Sequence, residues 1–407
     1  MRHTQPLRLL AGFAAAGIVA ACASTPSSGA PTTNSVASPS GSPKASANWL
    51  AARVEQPAAI ESAPTDAPVF CSPCHPIVGT YIDSIVASHG SYLAFGHDQP
   101  PSHAAAWTST DASDWHRVAT LPAPEGSGIA ASLVEGNGAI LAVGESAGVA
   151  AAWHSADGLA WTLTALPAPG DGATEWLTSV AASSGGFVAG GYEESSTAQR
   201  AATLWRSSDG ARWTRATVQT PGGDSEVTGI ASLGPASLLA VGIAGDERRG
   251  TAAIWRSADG GTSWQALSSP AFAAGRMLAV VAAGSGAVAV GERQDQTGAA
   301  AWYSPDGSTW VSSTGSGLAN GGLEMVMTAV AADGSGFAAA GWRTDAGNGS
   351  AVVWRSGDGR TWVHEPQDVS FSGAGLACVL GSPRLMVGGT MGWPDTHAAQ
   401  AWVAPSG

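Results

Sequence analysis

The chain has 407 residues, a formal net charge of −13 at neutral pH and only 12% charged side chains. That acidity argues against a nucleic-acid phosphate backbone as partner, and a 44% hydrophobic content excludes a chain that stays largely unfolded. The length alone suggests two or three domains, but radial repetition lets one fold grow without one enlarging core, and the repeats described below predict a single domain over 48–407.

Arg2 and Arg8 flank the start, an apolar run follows from Leu9 to Ala21, and Val19-Ala20-Ala21 lead into Cys22. The run is too short to span a bilayer and has the layout of an export signal. Small residues before a cysteine resemble a bacterial lipobox. That resemblance implies a signal peptide over 1–21, lipid on Cys22 and anchoring to the outer face of the cell membrane. An ordinary secretory signal is the other reading, and both lead out of the cytoplasm. The rest of 22–47 is mostly Ser, Pro, Ala, Thr and Gly, a composition that cannot bury enough apolar surface to fold. It predicts a tether spanning on the order of 25–30 Å.

Next come Asn48-Trp49-Leu50-Ala51-Ala52-Arg53-Val54 and a proline-rich stretch, 57–78, holding Cys71-Ser72-Pro73-Cys74-His75. The last five match a haem-attachment pattern, but the stretch is too short to enclose a haem, so no cofactor is expected. A Cys71–Cys74 disulfide suits an exported protein, with Cys378 left as a small core residue; a bridge from Cys378 to either cysteine and a redox-active dithiol are the alternatives. No histidine spacing suggests a metal.

From residue 78 onward one phrase recurs. It reads WRSADGGTSW from Trp255, and returns from Trp107, Trp153, Trp205, Trp302 and Trp354, with a lone seventh opening at Trp402. The first tryptophans lie 46 to 52 residues apart, the period of a four-stranded propeller blade. Each unit reads as strands A to D: a small-residue innermost strand A, a strand B ending at Gly96, Gly144, Gly191, Gly242, Gly291, Gly341 or Gly389, a strand C carrying the first tryptophan and a strand D carrying the second. Between C and D a short Ser or Asp side chain satisfies backbone amides and Gly supplies positive φ, which gives Asp111, Asp157, Asp209, Asp259, Asp306 and Asp358 a structural role. Ser257 to Trp264, SADGGTSW, resembles the Asp-box pattern of sialidase-like propellers, a group that includes xyloglucan-cleaving glycosidases, sortilin-type receptors and a photosystem assembly factor. The resemblance implies a fold rather than a function, because those relatives do unrelated things.

The seventh unit lacks strand D, and residues 48–56 resemble the D strands from Asp114 and Ser263. The expected architecture is therefore an all-β, seven-bladed β-propeller with Asp-box turns, its ring closed by an N-terminal strand that completes the last blade. The long stretch between Trp49 and the first strand A forms a loop insertion.

Function is expected on the face that gathers the variable B–C and D–A loops. Three of the seventeen tryptophans fall outside the repeat, and all three lie there: Trp176, Trp342 and Trp393. Beyond the strand B glycines come His97, Glu145, Tyr192, Glu292 and Trp342, followed by Arg293 and Arg343; Glu175, Glu226, Arg276 and Glu324 precede strand A. These residues make candidate ligand contacts for a glycan, a peptide or an envelope protein. The principal expectation is a monomeric, non-catalytic binding lipoprotein. The alternative is a sialidase-like glycoside hydrolase using a carboxylate pair such as Glu175 and Glu226. No Arg-Ile-Pro segment accompanies the acids, so no catalytic residue is carried over.

Overall fold

The computed structural model describes residues 49–57 and 78–405, apart from 100–102, 119–120, 124–127, 171, 221, 246–249, 284–285, 320, 322–323, 335, 346–347 and 393–395. The signal peptide, the tether, Cys22, Cys71, Cys74, nearly all of 57–78 and Trp393 lie outside the described residues. Among those described, regular structure is almost entirely strand, with three short 3-10 turns.

Each repeat is an antiparallel meander. In repeat 3, for example, strands A to D are Thr174–Ser183, Gly186–Glu194, Arg200–Ser207 and Thr214–Arg215. In repeat 7, strands A to C are Ala374–Leu380, Met386–Met391 and Thr396–Val403, and the fourth position is taken by Leu50–Ala51. Leu50 pairs with Val403 and Ala51 with Trp402.

Small residues on strands A to C let the sheets pack face to face, and the strand C tryptophans fill the space between them. Trp107, Trp153, Trp255, Trp302, Trp354 and Trp402 are fully buried. The apolar clusters join adjacent repeats, as where Leu141 and Val143 of repeat 2 meet Trp205 and Trp213 of repeat 3. Cys378 belongs to the cluster shared by repeats 7 and 1, where burial raises its thiol pKa.

The C–D turns share one hydrogen-bond scheme, except that the Trp310 indole of repeat 5 has no partner among the described residues. In repeat 3, Ser207 Oγ accepts from the Gly210 N–H at 2.8 Å, Asp209 Oδ1 accepts from the N–H groups of Ala211 and Arg212 at 2.9 and 2.8 Å, and the Trp213 indole donates to the Gly210 carbonyl at 3.1 Å. Gly210 has φ +75°, which glycine adopts without strain. Repeat 1 has Ala112 at the matching place with φ +69°. The acceptor role holds the carboxylates below their usual range: the Ser113 hydroxyl and the Ser113 and Asp114 amides bring Asp111 to about 2, and the Ser263 hydroxyl leads the same effect on Asp259.

Strand A is longer than the sequence suggests, and so is strand B. Both continue past a β-bulge that recurs in all seven repeats, at Asp83, Ala131, Thr178, Thr228, Leu278, Thr328 and Ala377. The bulge presses a strand A carbonyl onto the glycine of strand B; a Cβ on Gly191 would overlap the Trp176 oxygen, and one on Gly291 the Arg276 oxygen. Glycine is thus the residue that lets the hairpin continue, and not a strand terminator.

Candidate functional site

Continuing the strands puts one A–B residue pair of every repeat at the same register just beyond the bulge. The seven pairs are Tyr81–His97, Ile129–Glu145, Trp176–Tyr192, Glu226–Ile243, Arg276–Glu292, Val326–Trp342 and Gly375–Thr390. All lie toward the loop end of the strands. Unlike the C–D turns, no two pairs are alike.

Most of the charged candidates are already matched within the chain. Arg200 donates through Nε to Glu194 at 3.0 Å and through Nη1 to Glu226 at 2.9 Å, and its guanidinium sits 4.5 Å over the Tyr192 ring. Arg276 is ion-paired with buried Glu292. Glu324 is raised by burial, partly offset by the positive Arg276. Arg293 makes two 3.2 Å contacts with Asp295 in an exposed loop.

Glu175 corrects the sequence expectation of an open, ligand-facing acid. It lies inside strand A rather than before it, and is fully buried. Its Oε1 accepts the Trp205 indole N–H at 2.8 Å. Five other strand C tryptophans donate to backbone carbonyls ahead of their own repeat's strand A: Trp107 to Glu55, Trp153 to Pro122, Trp255 to Gln219, Trp302 to Ala271 and Trp354 to Gly317. Glu175 therefore does in repeat 3 what a carbonyl does elsewhere, and burial raises its carboxyl pKa despite the Trp205 and Thr203 contacts. Tyr192 and Glu292 are likewise buried, which leaves them as supports rather than contact surfaces. The supposed pair of Glu175 and Glu226 is one buried acceptor of an indole N–H and one arginine-bound carboxylate.

Trp176, Trp342 and Arg343 remain half-buried at the loop end. The Arg343 Nε is enclosed without a hydrogen-bond partner among the described residues.

One cluster escaped the sequence reading. The His97 imidazole donates from Nδ1 to Asp83 Oδ2 at 2.7 Å and stacks on Tyr81, with ring centres 4.7 Å apart and planes 9° from parallel. Tyr81 meets His397 of repeat 7 edge-on at 5.3 Å, so the cluster bridges the first and last repeats. Asp83 occupies the bulge position, where Thr178, Thr228 and Thr328 instead donate to carbonyls of the next repeat at 2.5, 2.8 and 2.6 Å. Aligning the repeats on their bulges would have exposed that departure; aligning them on their tryptophans does not. Burial lowers the His97 pKa, but the Asp83 charge and hydrogen bond, with help from Asp98, outweigh it and the net shift is upward. Burial alone pushes His397 downward. No group of three or more metal-ligating side chains occurs among the described residues.

No known family profile matches the sequence, and no curated protein matches it. Solved structures do resemble the fold. YCF48 bound to a D1 peptide aligns with a TM-score of 0.51 at 13% identity, over 88% of this chain and 97% of its own. YCF48 from Cyanidioschyzon merolae aligns at 0.48 with 15% identity, over 80% and 96% of the two chains. A GH74 xyloglucanase from Xanthomonas campestris also aligns at 0.48, with 14% identity over 78% of this chain and 54% of its own. The many small antiparallel sheets and the first of these likenesses identify the architecture as a β-propeller.

Proposed function

We propose that the protein is a non-catalytic binding module of the cell envelope: a seven-bladed propeller closed by residues 48–56, tethered by lipid on Cys22, that takes an extended peptide of an envelope protein at its loop end. The observation that carries the reading is the contrast at that end. The acids a hydrolase would use are engaged by Trp205, Arg200 and Arg276, whereas Trp176 and Trp342 keep part of their aromatic surface open to solvent. Half-exposed tryptophans on a rigid rim are typical anchors for a partner chain. That the similar propeller YCF48 is known with a D1 peptide bound supports a peptide over a glycan.

The test is a tiled peptide array of exported proteins probed with the whole protein and with Trp176→Ala and Trp342→Ala variants. Discrete peptides should bind, at least tenfold more weakly to the variants. Binding untouched by both substitutions would remove the loop end as the site, and a blank peptide array beside a positive glycan array would replace the ligand class.

A further inference from the structure

The opposite end of strands A and B carries its own irregularity. The turn at His89-Gly90 has φ of +48° and +82°, and the next repeat repeats it at Asn137-Gly138 with +54° and +76°. Two positive φ values in a two-residue hairpin favour Asn-Gly, so His89 stands where asparagine fits best. The turns of repeats 2 and 3, and of repeats 3 and 4, are stitched together. The Asn137 amide donates to the carbonyls of Ser183 and Gly186 at 3.2 and 2.9 Å, and the Ser184 hydroxyl to the Pro235 carbonyl at 2.5 Å. Between repeats 1 and 2 the stitch is missing: His89 Nε2 stands 3.7 Å from Glu135 Oε1, beyond hydrogen-bond range. A cavity of about 590 Å³ opens at that place, lined by His89, Tyr92, Glu135, Asn137 and Pro383 of repeat 7.

Asn137 is engaged by the Ser183 and Gly186 carbonyls and His89 Nδ1 lies 3.4 Å from Ser88 Oγ, but two other polar groups around the cavity are poorly used by the protein itself. Among the described residues the Glu135 carboxylate meets only His89, and the Tyr92 hydroxyl has no hydrogen-bond partner, although the Tyr92 ring is fixed 6.5 Å from Trp115. We infer that this cavity is a second binding site, distinct from the loop end, for a single neutral pyranose. A carboxylate accepts hydrogen bonds from two adjacent sugar hydroxyls, an imidazole serves a third, and an aromatic ring forms the wall. The volume is ample for one sugar ring. Glu135 is the reason the ligand is neutral: it would repel a uronate or a phosphate.

Saturation-transfer NMR on the whole protein with D-glucose, D-galactose and D-mannose tests the inference, with D-glucuronate as the anionic counterpart. At least one neutral sugar should show transfer. Glu135→Gln should weaken it at least tenfold, His89→Asn, which suits the turn and preserves folding, at least threefold, and Trp342→Ala at the other end should leave it unchanged. Thermal melts of each variant separate lost binding from lost folding. The site is overturned if none of the three sugars shows transfer, if Glu135→Gln binds as well as the parent, or if glucuronate is preferred. Because Trp342 belongs only to the peptide reading, either proposal can fail without the other.

Discussion

The junction between repeats 3 and 4 and the junction between repeats 7 and 1 use the same bonds, although the chain is continuous across only one of them. At the first, Thr217 and Val218 run parallel to Ser263 and Trp264, and Trp255 donates its indole N–H to the Gln219 carbonyl at 3.0 Å. At the second, Arg53 and Val54 run parallel to Asp114 and Trp115, and Trp107 donates to the Glu55 carbonyl at 2.8 Å. Residues 49–55 thus behave as the end of a strand D that the rest of repeat 7 does not supply. The difference lies inside: the 7/1 junction alone carries Asp83, His97, Tyr81 and His397. A tandem repeat makes every junction alike by default, so an unlike one marks either repair of the chain ends or function.

The largest effect expected is from deleting residues 48–56. Trp49 is 5% exposed, donates its indole N–H to Glu365 at 2.9 Å and its backbone N–H to Asp368 at 2.9 Å. Truncating a buried tryptophan costs about 3–5 kcal/mol, so thermal or denaturant unfolding of the deletion should show at least that loss. Trp49→Ala alone should approach it, with Trp49→Phe intermediate. Deletion without a shift in melting would make the two junctions unlike after all.

Acidity sharpens the comparison next. His97 has a folded pKa raised above its ordinary value of 6.5, so its contribution is complete below 6.5 and disappears as pH rises through the folded value. His397 is lowered, so its contribution is complete above 6.5 and disappears as pH falls through its folded value. The groups facing the pair are Asp83, Asp98 and Tyr81. Stability against pH should pass through a maximum near neutrality, and Asp83→Asn should flatten its alkaline side. An unchanged profile in that variant would deny the junction its special role.

At lower pH the C–D turns respond. The Thr309 and Ser308 amides hold Asp306 at about 2 against an ordinary 3.8. Stability from such carboxylates is present above 3.8 and is lost as pH falls through about 2, so melting temperature should decline across that window. Solvent screens these exposed groups, and each contributes little alone. Asp306→Asn should remove its small share.

The smallest effect is at the bulge. Thr228→Val removes one half-buried hydroxyl whose 2.8 Å bond to the Met277 carbonyl ties repeat 4 to repeat 5, and should cost about 1 kcal/mol in equilibrium unfolding.

The propeller was legible because Trp255, Asp259 and their copies recur every 46 to 52 residues, and the likeness of the segment after Trp49 to strand D agrees with the pairing of Leu50 and Ala51 on Val403 and Trp402. The site was less legible. Glu175 looks like a loop acid in sequence because nothing local reveals that strand A continues past its bulge, or that the Trp205 indole needs an acceptor. Asp83 was invisible for a related reason. A bulge position is set by strand pairing, and pairing is a property of the folded hairpin rather than of neighbouring residues. The cavity beside His89 depends on a gap between two turns that lie a full repeat apart in the chain, which no local pattern encodes.

Hydrogen exchange read by mass spectrometry tests the shared-junction account most directly, because it alters nothing in the chain. The N–H groups of Ala52, Arg53 and Glu55 donate to the carbonyls of Ala401, Ser113 and Trp115, as those of Thr217 and Gln219 donate to Thr262 and Trp264. Peptides covering 50–56 should therefore exchange as slowly as those covering 216–219. Exchange over 50–56 as fast as in an unfolded peptide would contradict it.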